Sequence, residues 1–289
     1  MLKMNKKWML GLLVLVMVAV AGCGNGNTKG AGNAEQNGDT STAQKGDGKE
    51  VTLKVATLIP PMTDILELVK PLLKEDGINL ELVVLSDNVQ PNDALANKEV
   101  DANFFQHVPY MNQYNESTNS ELVAVQPVYH AVYGAYSKRY KKMEELPEGA
   151  TIVIANDATN AGRSLVMLEK AGIIKLKEGV GINATVADIT ENPKKYKFEE
   201  VDLLMLARML DDADMVLMTP AYASPIGLTP KKDALLVETT ESEFAITMVA
   251  RADNKDSEPI KKLAERLSGP EVKQFLESQY SEIAIPAFE

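Results

Sequence analysis

The chain has 289 residues, 45% of them hydrophobic, a formal net charge of −11 and a single cysteine, Cys23. That apolar fraction supports genuine cores in one large or two modest domains, and the acid excess excludes nucleic acid or an anionic lipid surface as the main partner. One cysteine, placed this early, excludes disulfides, a cysteine-based zinc site and a catalytic thiol in the folded body.

Lys3, Lys6 and Lys7 precede an apolar run over residues 8–20, which ends at Val20-Ala21-Gly22-Cys23. The run is too short for a comfortable bilayer span. Residues 1–22 therefore read as a lipoprotein signal peptide, with Cys23 as the lipid acceptor. An ordinary signal peptide with an incidental cysteine is the competing reading. Residues 24–49 are rich in Gly, Asn, Thr, Ala, Gln and Lys and contain no Leu, Ile, Val or aromatic residue, so residues 23–50 are expected to form a lipidated, flexible tether. No later apolar run is long enough to cross a membrane, which leaves Cys23 as the expected anchor.

The folded part is expected from about Val51. Residues 51–56 alternate as a half-buried strand does. Thr63 reads as an N-cap for a helix whose apolar residues Ile65, Leu66, Val69, Leu72 and Leu73 recur at helical spacing up to Gly77, with Pro71 expected to kink or shorten it. Residues 80–85 predict a strand, 92–97 a short helix and 100–104 a strand. After a separating segment at 123–137, strands are predicted at 151–155, 198–201, 215–218, 235–237 and 244–250. Helices are predicted at 160–171, 203–210, 259–267 and 271–279, the last two split by Gly269-Pro270. This alternation predicts an α/β protein with mostly parallel sheets in two lobes.

Common catalytic signatures are missing: the sequence has no Gly-x-Ser-x-Gly, no His-Glu-x-x-His and no Walker loop. Asp211, Asp212 and Asp214 read as a solvated turn rather than a cation site. Two constellations suggest a ligand instead. Phe105, His107 and Tyr110 follow a predicted strand, where open α/β sheets place ligands; they wall a pocket or pack between strand and helix. Asn160 and Arg163 open a helix after residues 156–159. Helix N-termini offer unpaired N–H groups, and arginine adds a fork for a carboxylate. A surface or inter-lobe salt bridge is the other reading of Arg163. Together these groups suit a zwitterion with an apolar side chain, held between two lobes.

Several longer strings carry a resemblance. They are Asp87-Asn88-Val89-Gln90-Pro91-Asn92, Asp101-Ala102-Asn103-Phe104-Phe105-Gln106-His107, Tyr136-Ser137-Lys138, residues 156–164, residues 172–198, Ala221-Tyr222-Ala223-Ser224 with Ile226-Gly227-Leu228-Thr229-Pro230, and Asp253-Asn254-Lys255-Asp256. On these the chain resembles the NlpA-type methionine-binding lipoproteins, substrate-binding components of a methionine ABC importer. The resemblance implies a bilobal periplasmic-binding-protein-like fold with a ligand cleft, the first lobe being residues 51–137 plus 245–289 and the second 138–244. It implies Phe105, His107 and Tyr110 around the ligand side chain, and Arg163 with Asn160 at the ligand carboxylate. It also implies L-methionine or a similar amino acid as ligand, a permease and ATPase as partners, attachment to the outer face of the cell membrane through Cys23, and neither turnover nor a cofactor or metal. Three positions depart from the family pattern: Asn88 where tyrosine is frequent, and Thr219 and Ile246 where asparagines hold the polar groups of methionine. An unpaired buried polar group costs about 1–3 kcal/mol, so a small peptide, a methionine derivative or a non-transport adhesin role stand as alternatives.

Overall fold

The computed structural model describes residues 51–239 and 243–289. The expected signal peptide, the Cys23 lipid site and the tether lie outside the described residues. Asp47–Glu289 form a compact unit that contains every described core, so this part carries what it needs to fold.

In chain order the strands are β1 (Val51–Thr57), β2 (Ile78–Val84), β3 (Ala102–His107), β4 (Leu122–Ala131), β5 (Gly134–Tyr136), β6 (Thr151–Ala155), β7 (Lys175–Leu176), β8 (Ile189–Glu191), β9 (Lys197–Val201), β10 (Met215–Met218), β11 (Ala234–Val237), β12 (Ala245–Arg251) and β13 (Ala284–Pro286). The helices are α1 (Met62–Glu75), α2 (Gln90–Ala96), α3 (Val108–Thr118), α4 (Ala158–Lys170), α5 (Leu206–Met209), α6 (Pro220–Ala223), α7 (Pro230–Asp233), α8 (Glu258–Leu267) and α9 (Pro270–Gln279).

Two sheets organise the body. The first has the order β13-β4-β12-β3-β1-β2 and the second β11-β5-β10-β6-β9. Both are mixed. Parallel pairs join β1 to β2 and β3, and β6 to β9 and β10, while β12, β4, β13, β5 and β11 enter antiparallel. The βαβ units supply the parallel part, but only four of the nine pairings in these two sheets are parallel, so the expected mostly parallel sheets are in fact mixed. The chain passes from the first sheet to the second after β4 and back after β11; β5 is the first strand of the second sheet and is later flanked by β10 and β11, while β12 returns antiparallel between β3 and β4.

Each sheet has its own core. Ile65, Leu66, Val69 and Leu73 of α1 pack with Val55, Phe104 and Met248 of the first sheet, and Ile260, Leu263 and Leu276 close the same cluster. On the second sheet Leu165 and Leu168 of α4 pack over Ile152, Ile154 and Leu217, and the opposite face buries Val153, Val216 and Leu206.

Several expectations change in detail. The helix α1 starts at Met62 after Pro61, with no side-chain cap; Thr63 lies in its first turn and its hydroxyl donates to Asp64. The helix runs through Pro71 to Glu75, so the proline neither ends it nor shortens it, at the loss of the one N–H that Pro71 lacks. The segment read as a separator contains β4, a ten-residue strand between β12 and β13. Gly134–Tyr136 pairs in the second sheet, just upstream of the expected 137/138 division. Asp214 accepts from Arg139 at 3.0 Å and from the Thr151 N–H, and Asp211 pairs with Lys138, so two of the three carboxylates in the acidic turn are ion-paired. Among the described residues no helix is long and apolar enough to cross a membrane.

Candidate ligand-binding site

The parallel strands of both sheets end around one place. β3 ends at His107, β6 at Ala155 and β10 at Met218, and the next helix begins at once in each case. Each of these starts is capped by a side chain. His107 accepts the Tyr110 N–H for α3, Asp157 accepts the Asn160 N–H for α4, and Thr219 accepts the Ala221 N–H for α6. Capping needs an acceptor just outside the helix, so the local chemistry that starts each helix also places a polar side chain at the strand ends. A cavity of ≈ 60 Å³ lies between them.

All seven residues singled out from sequence line this cavity: Phe105 and His107 from β3, Tyr110 from α3, Asn160 and Arg163 from α4, Thr219 between β10 and α6, and Asn88 from the loop before α2. Asp87 shapes that loop by accepting the Val89 and Gln90 N–H groups, which holds its carboxyl below the usual carboxylate range. Ile246 lines the cavity as well, because its register sets it opposite His107 on β3 and Tyr129 on β4. Phe105 and Tyr110 meet edge to face at 5.9 Å between centroids. The floor is apolar: Leu58, Ile59, Met62 and Tyr129.

His107 is 5% exposed and both its nitrogens are engaged. The Tyr110 N–H donates to Nδ1 at 3.2 Å, so the ring proton sits on Nε2, which donates to Asn160 Oδ1 at 3.3 Å. Burial, reinforced by the Arg163 charge, pushes its pKa down to about 3. The imidazole is neutral in the site. Asn160 is fully used: its amide donates to both oxygens of Asp157 at 3.0 Å while its carbonyl receives His107. Across the opening, Asn88 and Tyr222 hydrogen-bond through Nδ2 to the phenol oxygen at 3.2 Å, and the Tyr110 hydroxyl donates to the Asn88 carbonyl.

Two sequence expectations are corrected at α4. Asp157 caps the helix by accepting the Asn160 N–H, so a carboxylate of the chain itself stands at the N-terminus where the ligand anion was expected. Arg163 is the sixth helical residue rather than a first-turn residue. It is 2% exposed. Its Nε donates to Glu238 at 2.9 and 3.2 Å, and its Nη2 donates to Glu238 Oε2 and, at 3.1 Å, to the Ala131 carbonyl. The rings of Tyr133 and Phe244 lie 4.4 and 4.6 Å from the guanidinium carbon. Arg163 is thus both ion-paired and part of the cavity wall, but the pair is buried and joins two residues of the expected second lobe, not a surface or inter-lobe bridge. Glu238, Tyr129 and Tyr222 escaped the sequence reading. Tyr129 had a local signal, the apolar stretch of β4. Glu238 had none, since it meets Arg163 only across 75 residues of chain.

Among the described residues lining the cavity, Arg163 is the one ionised group. The site can therefore take a carboxylate at one end and an apolar chain against aromatic and aliphatic surface at the other.

The model of the NlpA lipoprotein family matches residues 53–288. The D-methionine-binding lipoprotein MetQ of Escherichia coli (strain K12) is 42% identical over 223 residues, covering 76% of this chain and 82% of that protein. The methionine-binding lipoprotein MetQ of Bacillus subtilis (strain 168) is 39% identical over 98% of this chain and all of its own length. Among solved structures, a nutrient-binding protein from Burkholderia cenocepacia bound to methionine superposes with a TM-score of 0.79 at 38% identity, covering 82% of this chain and 100% of its own.

Proposed function

We infer the role of the molecule from one premise: this chain belongs to the NlpA lipoprotein family. It is a solute-binding protein that takes L-methionine, or a closely related apolar amino acid, into the cavity between its two sheets and delivers it to an ABC importer. Residues 1–22 are its signal peptide and lipidated Cys23 ties it to the outer face of the cell membrane. The bodies built on the two sheets are its two lobes. A permease and an ATPase are its partners.

The observation that carries this reading is the cavity's polarity: one buried guanidinium, Arg163, is its sole ionised lining group among the described residues, set among neutral polar side chains such as Asn160 and Thr219 and facing an aromatic and aliphatic wall. The ligand carboxylate meets Arg163 and the thioether lies against Phe105, Tyr110 and Tyr129, a favourable contact for a polarizable sulfur. Ile246 widens the apolar wall beside His107, and the Thr219 hydroxyl proton serves the polar end. With its ring neutral and both nitrogens engaged, His107 shapes the pocket without exchanging protons with the ligand.

Isothermal titration of residues 24–289 with L-methionine tests the reading, after unfolding and refolding to strip any carried-over ligand. Sub-micromolar binding is the expected outcome. Folded protein that gives no heat up to millimolar methionine sinks it, and mass spectrometry of whatever co-purifies then identifies the true ligand.

A further inference from the structure

Arg163 has five N–H donors, and the structure assigns three of them. Nε and one Nη2 hydrogen go to Glu238, and the second Nη2 hydrogen goes to Ala131. Nη1 is the nitrogen with no hydrogen-bond partner among the described residues. Glu238 does not line the ligand cavity; it lies in a separate groove with Val166 and Lys170, into which the other side of Arg163 also faces. Its own backbone is fixed, because its N–H donates to the Tyr133 carbonyl at 2.9 Å. Tyr133 in turn stacks on the guanidinium and bonds Ser164 through its hydroxyl at 2.9 Å.

We propose that Glu238 is a positioning residue of the ligand site: its carboxylate takes the Nε/Nη2 edge of Arg163 from behind, so that Nη1 alone is presented to the cavity and to the ligand's carboxylate. This rests on the functional reading above. Its consequence is that an incoming carboxylate is met at one end of the guanidinium rather than on the two-nitrogen edge, and that ligand leaves the Arg163–Glu238 pair in place. The arrangement also removes a difficulty of the empty site. A bare guanidinium buried to this depth is costly, whereas a paired one keeps its direction fixed between ligands. A freely rotating arginine would lose that direction each time the ligand left. Glu238 lies on the second crossing between the sheets, Tyr133 on the first, and Ala131 at the end of β4. The group that meets the ligand is therefore gripped by both connections between the sheets.

The test follows the Arg163 Nε–H by proton–nitrogen NMR in arginine-labelled residues 24–289, ligand-free and with L-methionine, beside calorimetry of wild type, Glu238→Gln and Glu238→Ala. A slowly exchanging Nε–H that holds its position when methionine is added is expected in wild type. Affinity is expected to fall in the order wild type, Gln, Ala, reaching about tenfold or more at Ala. Gln retains one acceptor oxygen and the side-chain size, and serves if the Ala variant does not fold. An Nε–H that shifts or disappears on adding methionine would mean that the ligand displaces Glu238, and would overturn the proposal. So would a folded Glu238→Ala protein that binds as wild type does. Absence of heat from wild type itself would count against methionine as the ligand, while loss of the protected Nε–H in ligand-free Glu238→Ala would still support the grip on Arg163 and its persistence would refute it.

Discussion

At His107 two neighbours decide the chemistry. The Tyr110 N–H claims Nδ1 and the Asn160 carbonyl claims the Nε2 proton, so a charged imidazolium would lose one bond and stand beside Arg163. Unfolded, the ring titrates near 6.5; folded, near 3. Above about 6.5 both states are neutral and stability is complete. Below that the unfolded chain takes up a proton that the folded chain does not, so stability is lost as pH falls from 6.5 toward 3, at no more than roughly 1.4 kcal/mol per pH unit from this group. Urea denaturation at pH 7, 5 and 4 checks this: His107→Gln, which cannot take up that proton, should lose less stability with acid than wild type, and parallel curves would contradict it. Between pH 7 and 8 ligand binding should not follow the titration of this ring at all. Arg163 teaches the opposite lesson about single residues. Read from sequence it was a ligand group on a helix; in the fold it is also half of a buried pair. An alanine there strands Glu238 and empties a stacked site, so it costs about 3 kcal/mol of stability as well as binding.

Helix α4 shows how an element can be dictated by one close contact. A Cβ built on Gly162 would lie 1.9 Å from the Ile182 carbonyl oxygen, a backbone atom in the 3-10 turn Gly181–Asn183 that cannot swing aside. The string 172–198, with its own small β7–β8 sheet, lies against the helix at this point. Gly162→Ala should therefore destabilise the protein by about 3 kcal/mol and weaken ligand binding, because Arg163 is the next residue. Thermal unfolding reads the first effect and calorimetry the second; an unchanged melting temperature would show that the turn yields. The strand and helix positions of α1, β6, α4 and β12 were legible because apolar residues there repeat at periods near 3.6 or 2. β4 was not. Pro127 and two irregularities in its pairing with β12 break the alternation, so its signal fades even though it sits within the sheet. Helix α3 was hidden for another reason: its capping residue His107 looked like a pocket wall, and it is both.

At the scale of the molecule, among the described residues three hydrogen-bonded contacts join the two halves at the cavity: Asn88 to Tyr222, His107 to Asn160, and Arg163 to the Ala131 carbonyl. They describe a closed arrangement, and each spends a polar group that an open form would give to water. Tyr222→Phe removes the first of these at a cost of about 1 kcal/mol, or roughly fivefold in affinity. It should enlarge the ligand-free radius of gyration in small-angle scattering; an unchanged profile would mean that the other two contacts suffice. The sequence by itself determined the family, the α/β class and the seven residues flagged as lining a site, because each depends on short strings: a strand end, a capping residue, an aromatic run. Only the tertiary structure decided what those residues do to one another. It set Ile246 opposite His107 through strand register, stood the Asp157 carboxylate at the α4 N-terminus, and brought Glu238 to Arg163. Local spacing fixes which face of an element a residue occupies. Which distant charge comes to share that face depends on how the two sheets are joined, and no window along the chain contains that information.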